Sequence, residues 1–460
     1  MAQSIAFKTE GLSYLKEGIH LLAELMKPVY GIKGYSGVAL AKELKTLNSF
    51  TSIGYALGKQ SMEKMDRLCG DGSKTAIILT ASILNAAHKA ILDGASREPL
   101  LRGIKKACQQ ALCDLKNSAV MLNSKERVIN YLGDEKNSEI APLIAEAFAK
   151  LGQGGTVLIG KGNECTLTFT KGFSFESGYC SPHFWQSGDE LIQLEAPRIL
   201  VCSKPLDSPQ ELLPILQIIS ASKQPLLLIA PEFGGELLST LSINRVANKL
   251  EVFTVKVEGN AEKTVALLED IALFTGSTLL KSSQKLKTTT PEMLGSAERV
   301  IVDKERTHLL CGHGSAKGVA SRISTIEKEL SKTYETTAPL LNRKKQLDGV
   351  IALINPGEGH YLRALQLLRA AGLAMEMGST PTGIAALCDI QLNLSELSGD
   401  ELLGAEVFHK ALHSPLAALT NNREKLKNGT QALATKVLLT ALTCAYASAE
   451  KALLTRTLIA

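Results

Sequence analysis

Apolar residues recur at helical spacing from Gly11 to Met26, through Leu12, Leu15, Ile19, Leu22 and Met26, and Pro28 ends the stripe. Phe50, Ile53, Leu57, Met62 and Met65 predict a second amphipathic helix. Ala76–Leu92 is mostly apolar, which predicts a buried helix stopped by Gly94. Ser96 with Pro99 opens the next helix, striped by Leu100, Ile104, Cys108, Ala111, Leu112 and Leu115. The chain up to Leu115 therefore reads as a helical domain. Two shorter helices follow between Asn117 and Leu151, the second being Ser138–Leu151, closed by Gly152.

The periodicity then changes. Thr156–Ile159, Cys165–Thr170 and Ile199–Cys202 predict strands. Ser208-Pro209-Gln210-Glu211 has the form of a capping box with proline at the first helical position, opening a helix that runs to Ser220. Pro225 introduces a buried strand, Leu226–Ile229. A helix over Gly235–Val246 and a strand over Val252–Val257 continue an α/β alternation. Ser315–Thr333 predicts a charged helix and Val350–Ile354 a strand, and from His360 to Ala460 the pattern is helical again. This order fits three successive domains, or one helical domain interrupted by an insertion.

Composition narrows the function classes. A chain of 460 residues with 21% charged residues and net charge +5 is long enough for two to three domains, and its near balance implies no polyanionic partner. Aromatics at 5%, with one Trp, argue against a base-stacking surface, so no nucleic acid is expected. Arg343, Lys344 and Lys345 read as a solvated helical face, and His409 and His413 as solvent-facing histidines. No basic region followed by an apolar core marks a leader, and apolar runs such as Leu226–Ala230 are far too short to span a bilayer, so no membrane partner is expected. The nine cysteines are scattered without a CxxC pair, as reduced thiols of a cytoplasmic protein would be.

The candidate chemistry centres on Gly70-Asp71-Gly72-Ser73-Lys74-Thr75. Two glycines bracket an aspartate, and Ser73 is placed to cap the apolar helix behind it. The positive end of such a helix holds phosphate, and Asp71 is placed to hold a hard cation beside it. The alternative reading is a plain glycine turn with Lys74 in solvent. The turn is not a Walker A loop, because Ser73 separates Gly72 from Lys74. A second glycine-rich loop, Gly31-Ile32-Lys33-Gly34-Tyr35-Ser36-Gly37, is a weaker phosphate signal.

Gly178-Tyr179-Cys180-Ser181-Pro182-His183-Phe184, Gly31-Ile32-Lys33-Gly34, Gly70 to Thr75, Pro225-Leu226-Leu227-Leu228-Ile229-Ala230 and Asp270-Ile271-Ala272 together resemble, in order and spacing, the GroEL-type (group I) chaperonins over nearly the whole chain. The resemblance implies a multidomain α and α/β fold. A split helical equatorial domain would take residues 1–117 and 374–460, a small intermediate domain 118–171 and 351–373, and an α/β apical domain 172–350. It implies ATP and Mg as cofactors, held by Gly31, Lys33, Gly34, Asp71, Gly72, Ser73, Lys74 and Thr75, with Asp71 on the metal. It implies peptide binding by Tyr179, Ser181, Phe184, Leu213, Leu216, Leu238 and Ile243. Leu212, Ile215, Ile219, Leu237 and Leu241 are left to serve the core. The implied partners are unfolded or partly folded polypeptides, a co-chaperonin lid and further subunits in a homo- or hetero-oligomer.

The chain also departs from the family pattern, in the manner of the extra chaperonin copies of chlamydiae. Lys74 replaces a threonine, Val29 stands where a threonine hydroxyl is usual, and Ile32 replaces a proline. A hairpin after the first phosphate loop is missing. Ser36 and Arg363 occupy the positions of the two hydrolytic carboxylates, and Leu433 replaces a further acid. The glycine-rich nucleotide loop is reduced to Gly378-Ser379-Thr380-Pro381, and the family's Gly-Met-rich tail is absent. A serine cannot act as a carboxylate base, and an arginine stays protonated, so no catalytic residue is assigned and hydrolysis is expected to be reduced or lost. Two other readings stand beside this one: a fully ATP-driven folding machine, and an interaction scaffold that is not a chaperone.

Overall fold

The computed structural model describes residues 5–31, 37–41, 49–133, 139–152, 155–160, 162–180, 191–259, 261–282, 286–332, 337–419 and 431–459. Packing divides the chain into two units, one of Met1–Ala149 with Glu358–Ala460 and one of Lys150–Gly357. The helical unit is thus discontinuous in sequence, with the second unit lying between its two segments.

The first segment of the helical unit begins with β1 (Ile5–Phe7) and continues through α1 (Lys8–Met26), α2 (Ser49–Cys69), α3 (Ser73–Leu92), α4 (Arg97–Asn117), α5 (Lys125–Leu132) and α6 (Ile140–Leu151). Ser138, the expected start of α6, lies outside the described residues. The helices of this segment bury the predicted stripes, including Leu12, Leu15, Ile19, Ile77, Leu84, Leu100 and Ile104, in one core. α1 and α2 cross where each carries a glycine. A Cβ on Gly18 would collide with the Thr51 carbonyl, and one on Gly54 with the Leu15 carbonyl.

The second unit holds β2 (Thr156–Ile159), β3 (Cys165–Phe175), β4 (Ile192–Glu195), β5 (Arg198–Val201), α7 (Pro209–Ser222), β6 (Leu226–Ala230), α8 (Gly235–Val246), β7 (Val252–Lys256), α9 (Ala261–Thr275), β8 (Gly295–Val302), β9 (Thr307–Gly312), α10 (Ala316–Lys332), α11 (Ala338–Leu347) and β10 (Val350–Pro356). Its nine-stranded sheet runs β2-β10-β3-β9-β8-β5-β6-β7, with β4 on β8. β5, β6 and β7 are parallel, and every residue of β6 is buried, as expected of a strand covered on both faces. β3 is longer than predicted because it changes partner: Cys165–Lys171 pairs with β10 and Gly172–Phe175 with β9. The capping box expected at Ser208 does not form. The Ser208 hydroxyl bonds the Gln210 side chain instead, and only the Ser208 carbonyl takes the Glu211 N–H.

The chain returns through α12 (Tyr361–Met377), β11 (Ser379–Thr380), α13 (Gly399–Leu412), α14 (Ser414–Leu419), β12 (Leu433–Ala434), α15 (Thr435–Leu454) and β13 (Thr457–Ile459). β13 pairs antiparallel with β1, and β12 with β11. By length and mean hydropathy α3 and α15 match a membrane span, unlike the short runs visible in the sequence, yet 67% and 61% of those windows are buried within the protein. Both contribute to the core of the helical unit.

Candidate functional site

In the helical unit the glycine turn joins α2 to α3. Gly70 and Gly72 both take positive φ, at 69° and 80°, a region that costs side-chain-bearing residues about 1–2 kcal/mol. Gly72 is the N-cap, so Ser73 begins the helix rather than capping it. The Gly72 N–H donates to Asp71 Oδ1 at 2.6 Å. The first helical bond runs from the Ala76 N–H to the Gly72 carbonyl at 3.0 Å, and no acid lies in the first turn of α3. That turn therefore offers backbone N–H groups and a positive dipole end, as a phosphate requires.

The side chains around the turn are tightly placed. Ser73 and Thr75 are buried while Asp71 is exposed. Thr75 Oγ1 bonds the Tyr30 hydroxyl at 2.9 Å. Burial pushes that phenol well above its usual range, and the Asp71 charge adds to the shift. Lys74 is not in solvent: its Nζ donates to the Val29 carbonyl at 3.1 Å. Burial lowers the Lys74 pKa, opposed by the nearby Asp71 carboxylate. Gly37 lies against this lysine and Ser73, so that a Cβ there would crowd Lys74 Cγ and Ser73 Oγ. Arg369 of α12 donates to the Asp66 and Arg67 carbonyls at 3.0 and 3.2 Å, and its guanidinium fills the space where a Gly70 side chain would sit. Tyr30 and Arg369 were missed by sequence reasoning; neither lies in a motif, and only the fold brings them to the turn. Gly31 has φ 76°, while Lys33, Gly34 and Ser36 lie outside the described residues.

The second unit presents α7 and α8 as neighbours. Leu212, Ile215 and Ile219 of α7 and Leu237 and Leu241 of α8 enter the core. Leu213 is 49% exposed, Ile243 68% and Val246 75%. Leu216 is corrected from exposed to buried: at 8% exposure it joins the core, because the apolar arc of α7 is wider than one stripe. Leu238 is half-buried against the same core. Tyr179 is held by its N–H on the Asp303 carbonyl at 3.2 Å, whereas Ser181, His183 and Phe184 lie outside the described residues. Arg343 is also corrected. It does not face solvent with Lys345 but forks onto the buried Asp270 of α9, Nε to Oδ2 at 2.7 Å and Nη2 to Oδ1 at 2.9 Å.

A sequence model of the TCP-1/cpn60 chaperonin family matches residues 55–326, which include the glycine turn, α7 and α8. The chain belongs to the TCP-1/cpn60 chaperonin family. Membership in this chaperonin family implies ATP-dependent protein folding, polypeptide clients and assembly into oligomers.

The turn fits the ATP and magnesium that chaperonins bind: a positive helix end, an exposed carboxylate and hydroxyls are the donors those groups need. Among the described residues no cluster of three or more His, Cys, Asp or Glu side chains forms, so Asp71 would hold a cation only together with phosphate oxygens. Bound ATP would supply a phosphoryl group for transfer to water, and magnesium would neutralise its charge. Arg363 is half-buried in the first turn of α12, where a guanidinium brings a fixed positive charge. Leu433 pairs with Thr380 in the β11–β12 ladder, and the Thr380 and Thr435 hydroxyls bond each other at 3.0 Å. The Arg363 guanidinium can neutralise an anion and stays protonated near neutral pH.

Proposed function

We propose that this chain is a divergent GroEL-type (group I) chaperonin subunit of the cytoplasm that binds non-native polypeptides and has a reduced or lost ATPase. The three-domain division, equatorial 1–117 and 374–460, intermediate 118–171 and 351–373, apical 172–350, belongs to this reading. The observation that carries it is the exposure of Leu213 on α7 and of Ile243 and Val246 on α8, neighbouring helices that bury Leu212, Ile215, Leu237 and Leu241 in the core. An unfolded segment supplies apolar side chains that cover such an edge. A co-chaperonin lid would compete for the same edge.

The nucleotide part of the reading rests on chemistry. Asp71, Gly72, Ser73, Lys74 and Thr75 hold the phosphates, with Gly31, Lys33 and Gly34 as the second loop. The Lys74 ammonium stands in for part of the cation charge. Ser36 and Arg363 leave the attacking water without a carboxylate base, so a bound nucleotide is held rather than turned over.

Purified protein and an Asp71→Ala variant, compared by calorimetric ATP titration and phosphate release, test this. The expected result is measurable binding that Asp71→Ala weakens, with no turnover above that of the variant. Turnover abolished by Asp71→Ala would restore the ATP-driven folding machine. Suppression of aggregation of a denatured client tests the surface: it should be lost in Leu213→Asp/Ile243→Asp. Client binding that survives this change would favour the scaffold reading.

A further inference from the structure

A cavity of about 580 Å³ opens beside the first turn of α8. Its apolar lining is Tyr179, Phe233 and Leu238. Phe233 is almost fully buried and Leu238 half-buried, so the floor is a fixed part of the core rather than a loose surface. The wall is equally fixed. The Thr307 hydroxyl donates to the Ser177 carbonyl at 2.6 Å, the Tyr179 N–H to the Asp303 carbonyl at 3.2 Å and the Cys180 N–H to the Thr254 carbonyl at 3.1 Å. Gly178 is required there, since a Cβ would strike the Lys304 carbonyl.

The rim has a different chemistry. Glu176, Glu232, Glu258 and Glu305 line it against Lys256 and Lys304, an excess of two negative charges on a chain whose net charge is +5. Two of the carboxylates have loose pairs, Glu176 with Arg306 at 3.7 Å and Glu258 with Lys256 at 3.9 Å. Among the described residues Glu232 and Glu305 enter no ion pair, and both are exposed.

We infer that this cavity selects client segments in which a bulky apolar side chain is flanked by lysine or arginine. The inference rests on the polypeptide-binding reading and names the client class it prefers. The apolar side chain enters over Phe233 and Leu238, and the flanking cations meet the rim carboxylates. Charges at a rim act mainly on selection and on encounter rate, so the preference weakens as salt rises.

Three fluorescent peptides test it, sharing a Leu/Phe core flanked by lysines, by glutamates or by serines, each titrated into the full chain and followed by anisotropy at low and high salt. The lysine-flanked peptide should bind about tenfold tighter than the glutamate-flanked one at low salt, equivalent to about 1.4 kcal/mol. High salt should narrow the gap. Glu232→Gln/Glu305→Gln should close much of it while leaving the serine-flanked peptide unchanged, and Leu238→Ser should weaken all three. Equal affinities for the charged peptides, or a gap untouched by the double substitution, overturn the inference and leave the polypeptide-binding reading standing. No binding of any peptide overturns both.

Discussion

His308 shows how one buried residue makes the second unit sensitive to acid. It lies on β9, almost fully buried, with its Nδ1 2.8 Å from the Ser174 hydroxyl. Burial lowers its pKa from 6.5 to about 4, with Asp303 opposing the shift and Arg306 adding to it. The unfolded chain therefore binds the proton more readily, so the contribution of this residue is fully present above pH 6.5 and is lost as pH falls towards 4. The difference corresponds to about 3 kcal/mol. Urea denaturation at pH 7 and pH 4.5 should show a smaller loss of stability in His308→Gln than in the unchanged protein; equal losses would show that this imidazole does not carry the effect. Gly72, by contrast, acts through its backbone. Its φ of 80° and the closeness of Met65 and Val437 predict that Gly72→Ala lowers stability by about 1–3 kcal/mol in thermal unfolding. The pair of glycines around Asp71 was legible in the sequence, because a turn needing positive φ selects glycine. The partners of the turn, Tyr30 and Arg369, were not legible, because nothing local to them marks the contact.

Elements in this protein are joined by two devices. In the second unit α9, α10 and α11 meet on one buried carboxylate. Asp270 receives Arg343 in a fork and Arg322 Nε at 3.0 Å, while Glu269 takes Arg322 Nη2 at 3.2 Å. Asp270→Asn leaves two guanidinium groups facing a neutral amide, and the cost should be about 3–5 kcal/mol, read from the denaturation midpoint. In the helical unit the device is glycine at helix crossings, at Gly18 and Gly54 and again at Gly103 and Gly404, where an added Cβ would strike the carbonyl of the facing helix. Each such glycine lowers helix propensity by about 1 kcal/mol, and the close approach it permits offsets that loss. α7 gives a direct contrast between its two faces. Leu216→Ala should destabilise by about 2–5 kcal/mol, as a core deletion does. Leu213→Ala should leave stability within about 0.5 kcal/mol while weakening client binding in the anisotropy assay. Equal effects of the two substitutions on stability would mean that Leu213 is not a surface residue. Helical periodicity separated Leu212, Ile215 and Ile219 from Leu213 but left Leu216 on the wrong side, because it lies at the margin of the arc.

At the scale of the whole molecule, the family's assembly meets a chain whose sequence, by its resemblance to the group I chaperonins, is short of a hairpin after Lys33-Gly34. We expect weakened assembly, so light scattering on dilution should report small species, and a stable double ring at low concentration would contradict this. The sequence by itself determined the elements its periodicity marked, the strand–helix alternation from β5 to β7, the turn at Gly70–Thr75 and membership in the chaperonin family, because these reside in local periodicity, backbone constraints and motif order, whereas β1, β4, β8, β9, α9 and the short strands β11 to β13 carried no such mark. Tertiary structure decided the rest. It made the helical unit discontinuous, split β3 between two partners and turned Arg343 inward to Asp270. It also placed Lys74 on the Val29 carbonyl and gathered an acidic rim around the cavity beside α8 from separate segments of the chain. The physical reason is common to all of these. Each depends on which distant residues share a low-dielectric or close-packed neighbourhood, and contacts of that kind leave no periodic trace along the chain.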